Sequence, residues 1–101
     1  MSASPYRDHL RQGLVGFAVP EHLHEGLIEY LAARRPTGGF LQAVLANDLR
    51  GAVGRADEQS GPALPNIIMF LVNHAPASSW GTQEQVRTWL TTTGPVPEPY
   101  D

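Results

Sequence analysis

Apolar residues recur at helical spacing along most of this chain. From Pro20, the run PEHLHEGLIEYLAARR puts Leu23, Leu27, Tyr30 and Leu31 on one stripe, which predicts an amphipathic helix over 20–35. Pro20 suits a first turn, where its missing N–H would be unpaired anyway. Glu21 and Glu25 come early and Arg34 and Arg35 late, as a helix dipole favours. Pro36-Thr37-Gly38-Gly39 stops that helix, and Phe40, Leu41, Val44 and Leu45 form the next stripe. Asn47-Asp48 marks a break, with Asp48 as N-cap of a short helix, LRGAVGRAD. Gly51 and Gly54 weaken that helix by roughly 1 kcal/mol each relative to alanine. After a loop over 58–62, ALPNIIMFLVNHAP is apolar nearly all round, which predicts the buried central helix, with Pro65 in its first turn and Pro76 at its end. Ser78 to Gly81 reads as a turn. Thr82-Gln83-Glu84-Gln85 reads as a capping box that starts a last helix packed through Val86, Trp89 and Leu90.

The ends are patterned less clearly. Leu10, Leu14, Val15 and Phe17 suit docking on a core, but Gly13 and Gly16 argue against a long helix, so residues 1–19 are expected to be loosely ordered. Gly94, Pro95, Pro97 and Pro99 predict a flexible tail over 92–101. The one strand candidate, VGFAV at 15–19, is short. The expected architecture is all-α, a compact bundle of four to five short helices forming a single helical domain over 20–91.

Composition narrows the class. A chain of 101 residues, 42% apolar, supports one modest core, and domains this small often complete their cores by self-association, so a homo-oligomer is expected. Without cysteine there is no disulfide and no thiolate metal site. The N-terminal segment lacks the pattern of a signal peptide, and no apolar run approaches a membrane span, so a cytoplasmic chain is expected, with no membrane partner. A net charge of −3 argues against general nucleic-acid binding. All 7 Lys+Arg residues are arginine, which reflects either compositional bias or bidentate recognition of phosphate and carboxylate.

Most catalytic chemistries find no pattern here. His22 and His24 would point to nearly opposite faces of a helix and cannot share a metal there. Ser60, Ser78 and Ser79 lie in loops without a nucleophile elbow, Asp57-Glu58 sits at a helix end where solvation explains it, and without lysine there is no Walker loop. No enzyme activity, metal or cofactor is expected. The most suggestive segment is Arg34 to Phe40, two arginines before a glycine turn that opens a helix. Arg34 and Arg35 would neutralise a phosphate and the N–H groups of Gly38, Gly39 and Phe40 would bind its oxygens. The plainer alternative is a tight interhelical turn with solvated arginines. Asn73-His74 with Trp80 forms a second candidate wall, unless Trp80 staples the last helix to the core. The full candidate ligand set is Arg34, Arg35, Thr37, Gly38, Gly39, Phe40, Asn47, Arg50, Asn73 and Trp80, with Asn47, Asn73 and Trp80 reading a base or ribose.

The stretch from Gly38 to Leu90 carries a combined pattern: Gly39-Phe40-Leu41, Ala43-Val44-Leu45, Asn47-Asp48-Leu49, Arg55-Ala56-Asp57, Asn73, Ala75-Pro76, Trp80-Gly81, Val86 and Trp89. It resembles a small family of uncharacterised proteins of phages and bacterial mobile elements, over about residues 21–90. Where that family often has an aromatic residue and a cysteine, this chain has Val72 and Ser79. The resemblance implies a non-enzymatic phage protein acting by binding. One use is sequestering a small, anionic, nucleotide-derived immune signal of the host bacterium, as phage sponge proteins do. A second is capping a host protein, as anti-CRISPR proteins do. A helical module without a ligand is the third. The motif's polar residues Asn47, Asp48, Arg55, Asp57 and Asn73 either cap helices or line a pocket.

Overall fold

The computed structural model describes residues 5–96, which form six α-helices and no strand among those residues. The helices are α1 (Pro5–Gly16), α2 (His24–Ala33), α3 (Gly39–Leu45), α4 (Leu49–Arg55), α5 (Leu64–His74) and α6 (Gln83–Thr91), with short 3-10 turns at Glu21–Leu23 and Ala77–Ser79. The chain is therefore all-α, as the periodicity predicts. None of the described helices is long and apolar enough to cross a membrane.

The largest departure is α1, which stands where loose order is expected. Tyr6, Leu10, Gly13 and Leu14 share one face and are buried. Gly13 acts as a contact point and not as a breaker: a Cβ there would lie 2.8 Å from the His74 ring. Its propensity cost of about 1 kcal/mol is outweighed by the close approach of α1 and α5. Ala18, at φ 57°, ends the segment, and Val19 N–H donates to the Leu14 carbonyl at 3.0 Å. Residues 1–4 and 97–101, which the expectations for the two ends also cover, lie outside the described residues.

The helix expected over 20–35 is divided. Glu21–Leu23 forms a 3-10 turn, α2 begins at His24, and Arg34 closes it in the left-handed region at φ 57°. Asp48 caps α4 as predicted, its carboxylate accepting from Gly51 N–H at 3.0 Å. That helix stops at Arg55, because Asp57 turns its carboxylate to the N–H groups of Gln59 and Ser60, at 3.0 and 2.7 Å, and so starts the next turn. Thr82 caps α6 by accepting from Gln85 N–H at 3.0 Å, while the Gln85 side chain reaches the Thr82 hydroxyl and the Ala77 carbonyl.

The core joins buried side chains of every helix, with Leu27, Ile28 and Leu31 of α2 and Ile67, Phe70 and Leu71 of α5 fully enclosed. Helix α5 is not buried all round, however. Met69 is 50% and Val72 63% exposed on its outer side.

His74 gives the core a pH-sensitive joint. Its ring stacks on Phe70 at 5.4 Å, meets Phe17 edge-on, and its Nδ1 lies 3.2 Å from Nε2 of His9 on α1. Burial, and then the neighbouring His9 charge, hold its pKa below the ordinary 6.5. The folded state thus favours neutral His74, and the unfolded chain takes up a proton first as pH falls. Stability from this group is complete above 6.5 and is lost below it. The melting temperature should therefore fall as the pH drops below 6.5, and His74→Gln should flatten that decline. Glu29, lowered chiefly by its hydrogen bond with Arg7, and Asp57, lowered by the Ser60 N–H, add their losses only below their ordinary values of 4.5 and 3.8.

Candidate functional site

In the arginine-flanked turn, both arginines have partners within the chain. Arg34 lies across the end of α6: its Nη1 donates to the Trp89 carbonyl at 3.1 Å, its Nη2 to the Pro95 carbonyl at 3.3 Å, and its guanidinium carbon sits 4.0 Å above the Trp89 ring. A cation beside the last carbonyls of a helix is favourable, so Arg34 is committed to holding α6. Arg35 turns the other way, where its Nε pairs with Glu29 at 3.2 Å, and Glu29 also accepts from Arg7 at 2.6 Å. Thr37 donates to the Gly38 carbonyl at 3.1 Å. Gly38 is the N-cap of α3, and Phe40 is packed partly against the core. With only 7 residues, α3 offers little macrodipole at its start.

The network behind Arg34 fixes the adjoining elements. Trp89 Nε1–H donates to the Tyr30 carbonyl at 2.7 Å, and the buried Tyr30 hydroxyl donates to the Ser79 carbonyl at 2.6 Å. Burial pushes the Tyr30 phenol well above its ordinary pKa, against a smaller opposing pull from Arg34. These bonds seat α6 against the end of α2 and leave its opposite side facing α3.

That opposite side forms a polar cleft of about 720 Å³ between α3, α4 and α6. Gly39, Gln42 and Asn47 line it from α3 and its C-terminal turn, Asp48 and Arg55 from α4, and Gln83 and Arg87 from α6. Ala43, Ala46, Val86 and Leu90 supply an apolar floor. Asn47 holds the α3–α4 turn at φ 60°, and its N–H and that of Asp48 donate back to the carbonyls of Val44 and Ala43, at 3.0 and 2.8 Å. Gly39 permits Arg55 to lie across the start of α3, since a Cβ would meet Arg55 Cδ at 3.1 Å. The ion pairs among the described residues are Arg7–Glu29, Arg11–Glu25, His22–Asp57 and Arg35–Glu29, so Arg50, Arg55 and Arg87 stand outside all of them.

Of the candidate set, only Gly39 and Asn47 line this cleft. Trp80 lies in a separate, apolar groove between α4 and α5, which shares the Asn47-Asp48 turn as a wall. Asn73 donates to the Met69 carbonyl of its own helix at 2.8 Å, and Arg50 is exposed on α4. The sequence reading missed Gln42, Gln83 and Arg87 as lining residues and named Arg55 as either a helix cap or a pocket wall. Gln83 and Arg87 are four apart and so share one face of α6, and that spacing is the available signal.

One serine–histidine–aspartate grouping does form. His22 Nε2 lies 3.2 Å from the hydroxyl of buried Ser60 and 3.4 Å from Asp57 Oδ2. Both partners meet the same ring nitrogen, whereas a relay needs the carboxylate on Nδ1 and the hydroxyl on Nε2. The grouping ties the Glu21–Leu23 turn to the Asp57–Ser60 turn. No cluster of three or more potential metal ligands occurs among the described residues, and His24 is engaged with the Val19 carbonyl at 2.7 Å.

Fold and cleft together define an all-α chain with a polar recess between α3, α4 and α6. No protein-family model matches it, and no curated protein or solved structure is significantly similar to it.

Proposed function

We propose that the chain is a non-enzymatic binding protein that holds a small phosphate-bearing, nucleotide-type ligand in the α3–α4–α6 cleft. The observation that carries this reading is that Arg55 and Arg87, from different helices, line one cleft outside every ion pair among the described residues, with Arg55 also donating to the exposed Gly51 carbonyl of its own helix at 3.3 Å. Guanidinium groups suit phosphate because they donate two parallel hydrogen bonds. The recess of about 720 Å³ falls within the range of small-molecule sites. Gln42, Gln83 and Asn47 supply amide donors and acceptors. The Asp48 carboxylate accepts only, so it favours a ligand that also carries hydroxyl or amino donors, as a ribose or base does and inorganic phosphate does not. The apolar floor suits the face of a base. On the phage resemblance, that ligand is a nucleotide-derived immune signal in the cytoplasm of the carrying bacterium, and the effect is to withhold it from the host's defence.

Calorimetric titration with cyclic dinucleotides and ADP-ribose derivatives tests this. Heat is expected with at least one of them. Silence from all at about 100 μM protein, the weak end of useful sequestration, removes the reading.

A second reading, an inhibitor that caps a host protein, draws on a different observation: the apolar groove between α4 and α5.

A further inference from the structure

Where α1 packs on α5, two histidines meet nitrogen to nitrogen. The His74 ring stacks on Phe70 at 5.4 Å and meets Phe17 edge-on at 5.8 Å. A Cβ at Gly13 would lie 2.9 Å from His74 Nε2, so the α1 backbone crowds that nitrogen. The ring is thus held by three neighbours, and its Nδ1 is directed at His9. Nδ1 lies 3.2 Å from His9 Nε2, with the rings 5.0 Å apart and inclined at 69°. Both histidines are half-buried. Two imidazole nitrogens this close can share one proton, one ring donating and the other accepting. They can equally bind one ion in its place. Nitrogens held at about 2.0–2.1 Å by one tetrahedral ion are about 3.3–3.4 Å apart, and the pair already stands within about 0.2 Å of that separation.

We propose that His9 and His74 form a two-histidine site for a divalent transition-metal ion, such as zinc or nickel, that clamps α1 to α5. Imidazole suits these ions, whereas magnesium and calcium prefer oxygen. Burial favours neutral His74, and neutral imidazole is the form that ligates. The ligands are also positioned before the ion arrives. Leu10 and Leu14 of α1 and Ile67, Phe70 and Leu71 of α5 are buried in the common core, so the two helices need not be brought together. No further His, Asp or Glu completes a group of three among the described residues, so water fills the remaining positions. Such a site is weaker than a structural zinc site with four protein ligands, and its ion exchanges with solution. The two ligands are 65 positions apart in the chain, so the site exists only in the folded state and its ion stabilises the fold. The inference is independent of the ligand reading, since neither histidine lines the α3–α4–α6 cleft.

Thermal melting of the chelator-treated full chain, with zinc, nickel or magnesium chloride added, tests it. Zinc or nickel at about ten times its dissociation constant should raise the melting temperature by about 4–8 °C, and a chelator should reverse the rise. Magnesium should leave it unchanged. Native mass spectrometry should show one ion per chain. His9→Gln and His74→Gln should each abolish the rise. His22→Gln should keep it, which separates the site from the His22–Asp57 pair. No rise with zinc or nickel up to about 1 mM overturns the proposal and leaves the two rings sharing a proton alone. A rise that survives His9→Gln, or that disappears in a folded His22→Gln variant, overturns it as well. If His74→Gln unfolds, the wild-type titration and His9→Gln, at a half-buried position, decide the matter.

Discussion

Trp89→Ala should destabilise the protein by about 3–5 kcal/mol, the cost of emptying a large aromatic site in a core. Trp89 is 3% exposed, its indole N–H donates to the Tyr30 carbonyl at 2.7 Å, and Arg34 stacks on its ring at 4.0 Å. Truncation opens a cavity, takes one of two donors from the Tyr30 carbonyl, which keeps the Arg34 N–H at 3.1 Å, and removes the ring beneath a half-buried cation. Natural domains keep only about 5–15 kcal/mol in total, so the variant should be close to unfolding near 37 °C. Urea denaturation measures the change. Trp89→Phe separates the causes, because it keeps most of the packing and loses the hydrogen bond, at about 0.5–1.5 kcal/mol, while the Tyr30 carbonyl keeps the Arg34 N–H. A loss under about 1 kcal/mol for the alanine variant would mean that α6 is not seated by this residue.

The second large effect concerns the ligand. Replacing both Arg55 and Arg87 by glutamine should weaken binding by about 100-fold or more, since each charge-assisted hydrogen bond is worth roughly 1.5–3 kcal/mol. Stability should barely move, because both side chains are exposed and neither is in an ion pair among the described residues. Arg35→Gln should leave affinity unchanged, because Arg35 is engaged with Glu29. Arg34→Gln should cost stability through the lost contacts with Trp89 and Pro95. Parallel calorimetry and melting of the variants separates these roles, and the reverse pattern would return the site to the Arg34–Phe40 turn.

The signals legible in the sequence were local ones. Asp48 and Thr82 cap the helices they precede because a short oxygen-bearing side chain can reach a free N–H one turn ahead. Pro76 stops α5 as a residue without an N–H must. The misreadings were tertiary. Gly13 carries a propensity cost that a window average counts, but the His74 ring that repays it comes from a helix far along the chain. Arg34 looked free because its partner carbonyl on Trp89 is 55 positions away. The α5 pattern predicted burial on every side, and only the packing reveals that one side is open. The cleft is the extreme case: three short helices contribute to it, and of its lining Gly39, Asn47, Asp48 and Arg55 stand out in the sequence while Gln42, Gln83 and Arg87 do not.

The most direct test of the ligand site is a map of amide chemical shifts in isotope-labelled protein as ADP-ribose is added. The account predicts changes centred on Asn47, Asp48, Arg55 and Arg87, where three helices meet. Shifts confined to Arg34 through Phe40, or spread along the apolar side of α5 with the cleft unchanged, would contradict it.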